Sequence, residues 1–158
     1  MRHTLVFTAP YLHSPKSAEI SGILNGCNDI EARNSVIFLD RLPSSDLPSL
    51  YKYAIATIVP TLFEGSCPFP ILESLAMDTP VAIGRIEVTE EVIPEMDAFI
   101  TFDPYSVCEI EKAIHDLWMH KTTLLPRQKL AISNVLQRKW SEVAGEYYSL
   151  IHQIMDSN

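Results

Sequence analysis

Apolar residues along the chain gather into five short runs, at positions 5–7, 36–39, 55–59, 81–83 and 99–102. They are mostly continuous rather than alternating, which predicts strands covered on both faces, as in a parallel sheet. Prolines punctuate them: Pro10, Pro60 and Pro104 follow run ends and Pro80 precedes one, where a missing N–H does no harm to a ladder. Between and after the runs, helical spacing is found at 16–28, 45–53, 70–77, 90–95, 107–120, 124–139 and 141–155. In the segment from 107, Val107, Ile110, Ile114, Leu117 and Trp118 form one stripe of a 3.6-residue helix, expected to pack on the sheet. In the last segment Val143, Tyr147, Leu150, Ile151 and Ile154 make the apolar face.

Strands alternating with helices predict a single α/β domain over residues 1–158. Its expected core is a Rossmann-like, mostly parallel sheet of about five strands with helices on both faces and a C-terminal helical tail. Ligands of such sheets sit outside the carboxyl ends of the strands. Attention therefore falls on 8–10, 40–42, 60–65, 84–85 and 103–104, of which 60–65 is chemically the richest.

Composition narrows the chemistry. The 158 residues are 47% hydrophobic and 20% charged with a net charge of −8, an excess of carboxylates that repels nucleic-acid backbones and anionic membranes. No nucleic-acid partner and no direct membrane insertion are expected, since no apolar run approaches the length of a membrane span. Three widely spaced cysteines, Cys27, Cys67 and Cys108, fit neither a disulfide framework nor a zinc pair, and the five histidines lack ligand spacing. The expected compartment is the cytoplasm, with no metal and no resident cofactor. Only five glycines are present, and their spacing excludes both glycine-rich phosphate loops.

After the 55–59 run the chain reads Pro60-Thr61-Leu62-Phe63-Glu64-Gly65-Ser66-Cys67-Pro68-Phe69-Pro70-Ile71-Leu72-Glu73. This is a strand, a loop with one carboxylate, and a helix expected to begin at Pro70, where a preset φ suits the first position. Glu73 then falls in the first turn, and the free N–H groups and dipole of the helix start form an anion site without a glycine-rich loop. Glu64 and Glu73 flank one ligand in this reading. Carboxylates accept paired hydroxyl hydrogen bonds, so sugars or riboses are the natural targets.

These blocks carry a family resemblance. Val36-Ile37-Phe38-Leu39 with Leu47-Pro48-Ser49-Leu50-Tyr51, the Pro60 to Gly65 block, Pro70-Ile71-Leu72-Glu73-Ser74-Leu75-Ala76 and Thr79-Pro80-Val81 appear in order. Phe102-Asp103-Pro104-Tyr105 and Trp140-Ser141-Glu142-Val143-Ala144 extend the series over nearly the whole chain. Together they resemble the C-terminal, donor-binding domain of the retaining glycosyltransferases of family 4 (group 1), which have the two-domain GT-B architecture. The resemblance implies a nucleoside-diphosphate sugar as donor, with Glu73 holding the ribose hydroxyls and Glu64, the catalytic candidate, facing the sugar. Gly65, Ser66, Cys67, Phe69, Pro70 and Ile71 complete the implied donor-binding set. Catalysis in such a site is mainly positioning and neutralisation of the departing diphosphate.

Three departures qualify the resemblance. Eight residues separate Glu64 from Glu73 where the pattern has seven, and Asp78 stands where it has glycine. The resembled domain also begins with a strand and helix bearing the basic residues that neutralise the diphosphate; this chain is read as starting after them, without an acceptor domain. From Tyr53 through Gly84 there is no Lys or Arg, and Arg41 and Arg85 are the basic residues at run ends. The chain alone is therefore expected to be inactive unless an acceptor-binding domain or subunit completes it. The alternative reading is a non-catalytic nucleotide-sugar-binding or scaffold partner of an active transferase.

Overall fold

The computed structural model describes residues 3–8, 15–65, 68–93 and 95–156. Of the positions singled out above, Ala9, Pro10, Ser66 and Cys67 lie outside the described residues. The chain divides into two units, Met1–Leu47 and Pro48–Asn158.

In the first unit, β1 (Leu5–Phe7) pairs in parallel with β2 (Val36–Phe38), in the register Leu5 to Val36 and Phe7 to Phe38. The Leu5 N–H donates to Ser35 O and the Leu39 N–H to Phe7 O, both at 2.8 Å. Between the strands run α1 (Ser17–Gly26) and α2 (Ile30–Asn34). The second of these was not expected, although its cap is plain chemistry: Asp29 accepts from the N–H groups of Glu31 and Ala32 at 2.8 and 3.0 Å. The Phe7 and Phe38 rings stack at 5.0 Å. Continuous apolar strands had predicted cover on both faces, but all three β1 residues are exposed and no residue of α1 or α2 is buried. Two short helices offer too little apolar area to cover both faces of a sheet.

The second unit holds the core. Helix α3 (Leu47–Tyr53) leads to β3 (Thr57–Val59), α4 (Phe69–Ala76), β4 (Val81–Gly84) and α5 (Glu87–Val92). A short 3-10 turn at Met96–Ala98 precedes β5 (Ile100–Phe102), and α6 (Val107–Ala131), α7 (Ser133–Gln137) and α8 (Trp140–Asp156) follow. The strands form a parallel sheet in the order β3-β4-β5, with β4 buried along its whole length. Alternate β4 residues feed two cores. Val81 and Ile83 join Val59, Ile71, Leu75, Ile93, Phe99 and Ile132, while Ala82 joins Phe102, Ala113, Leu117 and Leu124. Period-two alternation thus lets one strand face helices on both sides.

The mixed α/β, parallel-sheet class expected from the sequence is the observed one, with one correction. The five described strands form two sheets rather than one, because β1 pairs with β2, β3 pairs with β4, and no described strand pairs with both β1 and β3.

A single long α6 replaces the expected break near position 120. Its buried face is Ala113, Leu117, Leu124 and Gln128, with Val107 (79% exposed) and Ile114 outside it. Pro126 costs the helix one hydrogen bond, but the buried Leu124 and Gln128 on either side hold the segment helical. The helix links the two cores, Leu124 lying in one and Ile132, just past its end, in the other. On α8 the expected apolar stripe forms, but Tyr147, Leu150, Ile151 and Ile154 are all more than half exposed, as is Trp140.

Helix α4 ends in a Schellman motif. The Asp78 N–H donates to Leu75 O at 3.2 Å and the Thr79 N–H to Ser74 O at 2.9 Å. Asp78 itself has φ 62°, the left-handed conformation that favours glycine. Its carboxylate pairs with Lys129, and that hydrogen bond and charge hold its pKa below the ordinary value. Folding stability from this pair is present above the unfolded pKa, about 3.9, and fades as pH falls through the lower folded value. In thermal melts at neutral pH, Asp78→Val is expected to melt below the parent because a branched side chain resists φ > 0, while Asp78→Gly melts at or near it. Equal melting of the Val and Gly variants would contradict this account.

Candidate functional site

The site is assembled where β3 gives way to the 60–68 loop and α4. The helix starts at Phe69, one residue earlier than expected, because Pro68 takes the cap position with φ −62° and ψ 106° and Pro70 falls second. Glu73 is therefore the fifth helical residue rather than a first-turn one. The same prolines thin the expected anion site. Pro68 and Pro70 carry no N–H and the Ile71 N–H donates to Pro68 O at 3.0 Å, which leaves Phe69 as the candidate donor among the first three helical residues.

Ile71 is fully buried in the core, so its side chain anchors the helix. Phe69 (67%) and Phe63 (85%) are exposed. Gly65 has no neighbouring atom within 4 Å of where a Cβ would stand, so the loop is open there. Glu64 is half-buried and accepts from the Thr61 hydroxyl at 3.0 Å, which limits the rotamers of a loop carboxylate.

Glu73 is exposed on α4 and accepts a 2.9 Å hydrogen bond from the Tyr51 phenol of α3. Burial first, and then the hydrogen bond and charge of Glu73, push the Tyr51 pKa well above the ordinary tyrosine value, so the phenol stays a donor. The Tyr51 carbonyl accepts from the Thr79 hydroxyl at 2.6 Å. Ser74, fully buried, donates to Thr79 O at 2.9 Å and accepts from the Thr57 hydroxyl at 2.8 Å. Four polar residues thus lock α3, α4, β3 and the turn into β4 around the root of Glu73. Sequence reading passed over Tyr51, Ser74 and Thr79 as functional supports. The available signal was a serine between Ile71 and Leu75 on an otherwise apolar helix face.

At the end of β4, Arg85 is half-exposed and engaged: its guanidinium lies 3.4 Å from Glu109 and 3.3 Å from the Thr101 hydroxyl. Glu109 also accepts from the Asp103 N–H at 2.8 Å, and Asp103 from the Tyr105 N–H at 2.9 Å, which shapes the turn from β5 into α6. Among the described residues no group of three or more His, Cys, Asp or Glu is placed to hold a metal ion. No helix among them is long and apolar enough to cross a membrane.

Known proteins resemble this chain in sequence and in fold. The O-antigen chain mannosyltransferase RfbU of Salmonella typhimurium is 32% identical over 75 residues, 48% of this chain and 21% of that protein. The fold matches sucrose-phosphate synthase from Thermosynechococcus elongatus with a TM-score of 0.70 and 17% identity, over 98% of this chain and 39% of the other. The chain thus spans about a fifth of the curated relative and two fifths of the solved one. A family model described as "Glycosyl transferases group 1" matches residues 15–120, more than half of the sequence. The chain belongs to the group 1 glycosyl transferase family.

Proposed function

We propose that this chain is the donor-binding module of a retaining glycosyltransferase, taking a nucleoside-diphosphate sugar. Glu73 accepts hydrogen bonds from the nucleotide ribose, Glu64 faces the sugar being transferred, and backbone around Gly65, Ser66, Cys67 and Phe69 lines the diphosphate. The observation that carries this reading is Glu73: an exposed carboxylate on the helix that follows a strand end, held by the Tyr51 phenol, whose helix is tied to the buried Ser74 and Thr79. A mannosyl donor is the first to test, given the identity to a mannosyltransferase.

In this reading a further polypeptide segment supplies the acceptor site and the cations for the diphosphate. The absence of Lys and Arg from Tyr53 through Gly84 and the engagement of Arg85 by Glu109 both support it. Among the described strands β1 and β3 each pair on one side, which leaves each an edge that a further strand could join. The same lack of basic residues is what favours the second reading, a non-catalytic nucleotide-sugar-binding partner of an active transferase. We place the module in the cytoplasm, in keeping with the free thiols of Cys27 and Cys108.

Calorimetric titration with a panel of nucleoside-diphosphate sugars, GDP-mannose first, tests the donor role. Glu73→Ala is expected to weaken binding by roughly 1.5–3 kcal/mol, about ten- to hundredfold, as for hydrogen bonds to a charged group. Unchanged affinity in a folded Glu73→Ala variant would remove the ribose assignment.

A further inference from the structure

We propose that Tyr51 is a positioning residue for Glu73, holding one carboxylate oxygen so that the other is presented to the vicinal hydroxyls of a bound ribose. The inference rests on the proposed ribose role of Glu73 and adds a residue to it. A glutamate on an exposed helix face ordinarily samples several rotamers, and ordering it on binding costs affinity. Here the phenol takes Oε2 at 2.9 Å and removes that freedom beforehand. A carboxylate has about four acceptor directions, so one phenol donor leaves room for both hydroxyls of a diol.

Tyr51 can act as a fixed post because it is itself fixed. Its ring is half-buried, and its carbonyl is tied at 2.6 Å to Thr79, a residue 2% exposed in the turn that ends α4. Thr79 in turn is bonded through its carbonyl to Ser74, the residue that follows Glu73. The helix bearing the carboxylate and the helix bearing the phenol therefore share one buried connection, and their side chains meet above it. A phenol whose pKa lies far above neutrality also keeps its proton next to the carboxylate. Tyr51 thus remains the donor of this bond.

A merely structural bond between α3 and α4 would affect every ligand alike, whereas a positioning bond affects only ligands with ribose hydroxyls. The test uses the full chain in calorimetric titrations with adenosine, cytidine, guanosine and uridine diphosphates and their 2′,3′-dideoxy counterparts. Tyr51→Phe keeps the ring and its packing, and a thermal melt checks the fold. It is expected to weaken the best ribonucleotide by about five- to twentyfold while leaving its dideoxy counterpart unchanged. Adding Tyr51→Phe to Glu73→Ala is expected to cost nothing further, since the phenol acts through that carboxylate. Unchanged ribonucleotide affinity in Tyr51→Phe, or an equal loss for both ligand types, overturns the positioning role while leaving the ribose reading standing. Unchanged affinity in Glu73→Ala, or a chain that binds none of the diphosphates, overturns the ribose reading and the positioning role together.

Discussion

Replacing Gln128 by alanine is expected to lower the unfolding free energy of the β3-β4-β5 unit by about 3–5 kcal/mol. Gln128 is fully buried on α6 and uses its amide as a substitute strand: Oε1 accepts from the Val81 N–H at 3.0 Å and Nε2 donates to Val81 O at 2.7 Å. Val81 opens the central strand, and its side chain is fully buried. Truncation strands one backbone donor and one acceptor away from water, each costing about 1–3 kcal/mol, and leaves a cavity besides. Gln128→Leu fills the space but satisfies neither group, so it remains destabilised by urea denaturation.

Gln128→Glu separates the hydrogen bonds from the volume. A protonated glutamic acid can donate to Val81 O and accept from its N–H, whereas the carboxylate faces a carbonyl in a buried site and its folded pKa rises. The variant is then close to the parent below the unfolded value of about 4.3 and loses stability as pH climbs through the raised folded value. If the deficit of Gln128→Glu does not depend on pH, the amide is not serving as a strand partner.

The second large effect is expected at Gly84, where a side chain disturbs both the fold and the candidate site. A Cβ there would stand 3.1 Å from Thr61 O and 3.4 Å from both Val59 O and Pro104 Cβ. The two oxygens are backbone atoms, so the chain rather than a rotamer has to yield. Gly84→Val adds two further methyl groups at this crowded point and is expected to cost about 2–3 kcal/mol, as overpacking does. The segment pushed aside is the one whose Thr61 hydroxyl holds Glu64. Under the proposed donor role, nucleotide-sugar affinity falls together with stability, and Gly84→Ala shows the same trend in smaller measure. A Gly84→Val variant with parental melting temperature would mean that the loop after β3 moves away freely, and that its contact with β4 does not set the site.

Gly84 and Gln128 also show where sequence reading stops. The five apolar runs became the five strands within two residues at either end, because β-rich apolar composition between prolines is a local property. At Asp78 the sign was the resemblance, which has glycine where the structure has a left-handed residue. Glu64 and Glu73 stood out as carboxylates after a strand end. What holds them did not: Tyr51 meets Glu73 across 22 residues, Thr79 meets Tyr51 across 28, and Gln128 meets Val81 across 47. Such pairings belong to no period and are set by how the helices lie on the sheet.

The sequence by itself determined the α/β class, the strand positions, the carboxylates that follow the third strand and the scarcity of basic residues near them. Those follow from local propensity, periodicity and composition, which operate within a few residues. Only the tertiary structure decided that the strands form two sheets, that α4 starts at Phe69 and carries Glu73 beyond its first turn, and that α6 crosses from one core to the other. It alone decided that an exposed glutamate is steadied by a phenol from another helix. Apart from the start of α4, which Pro68 sets locally, each of these depends on contacts between residues far apart in the chain, and burial, not sequence neighbourhood, selects which polar groups must find one another.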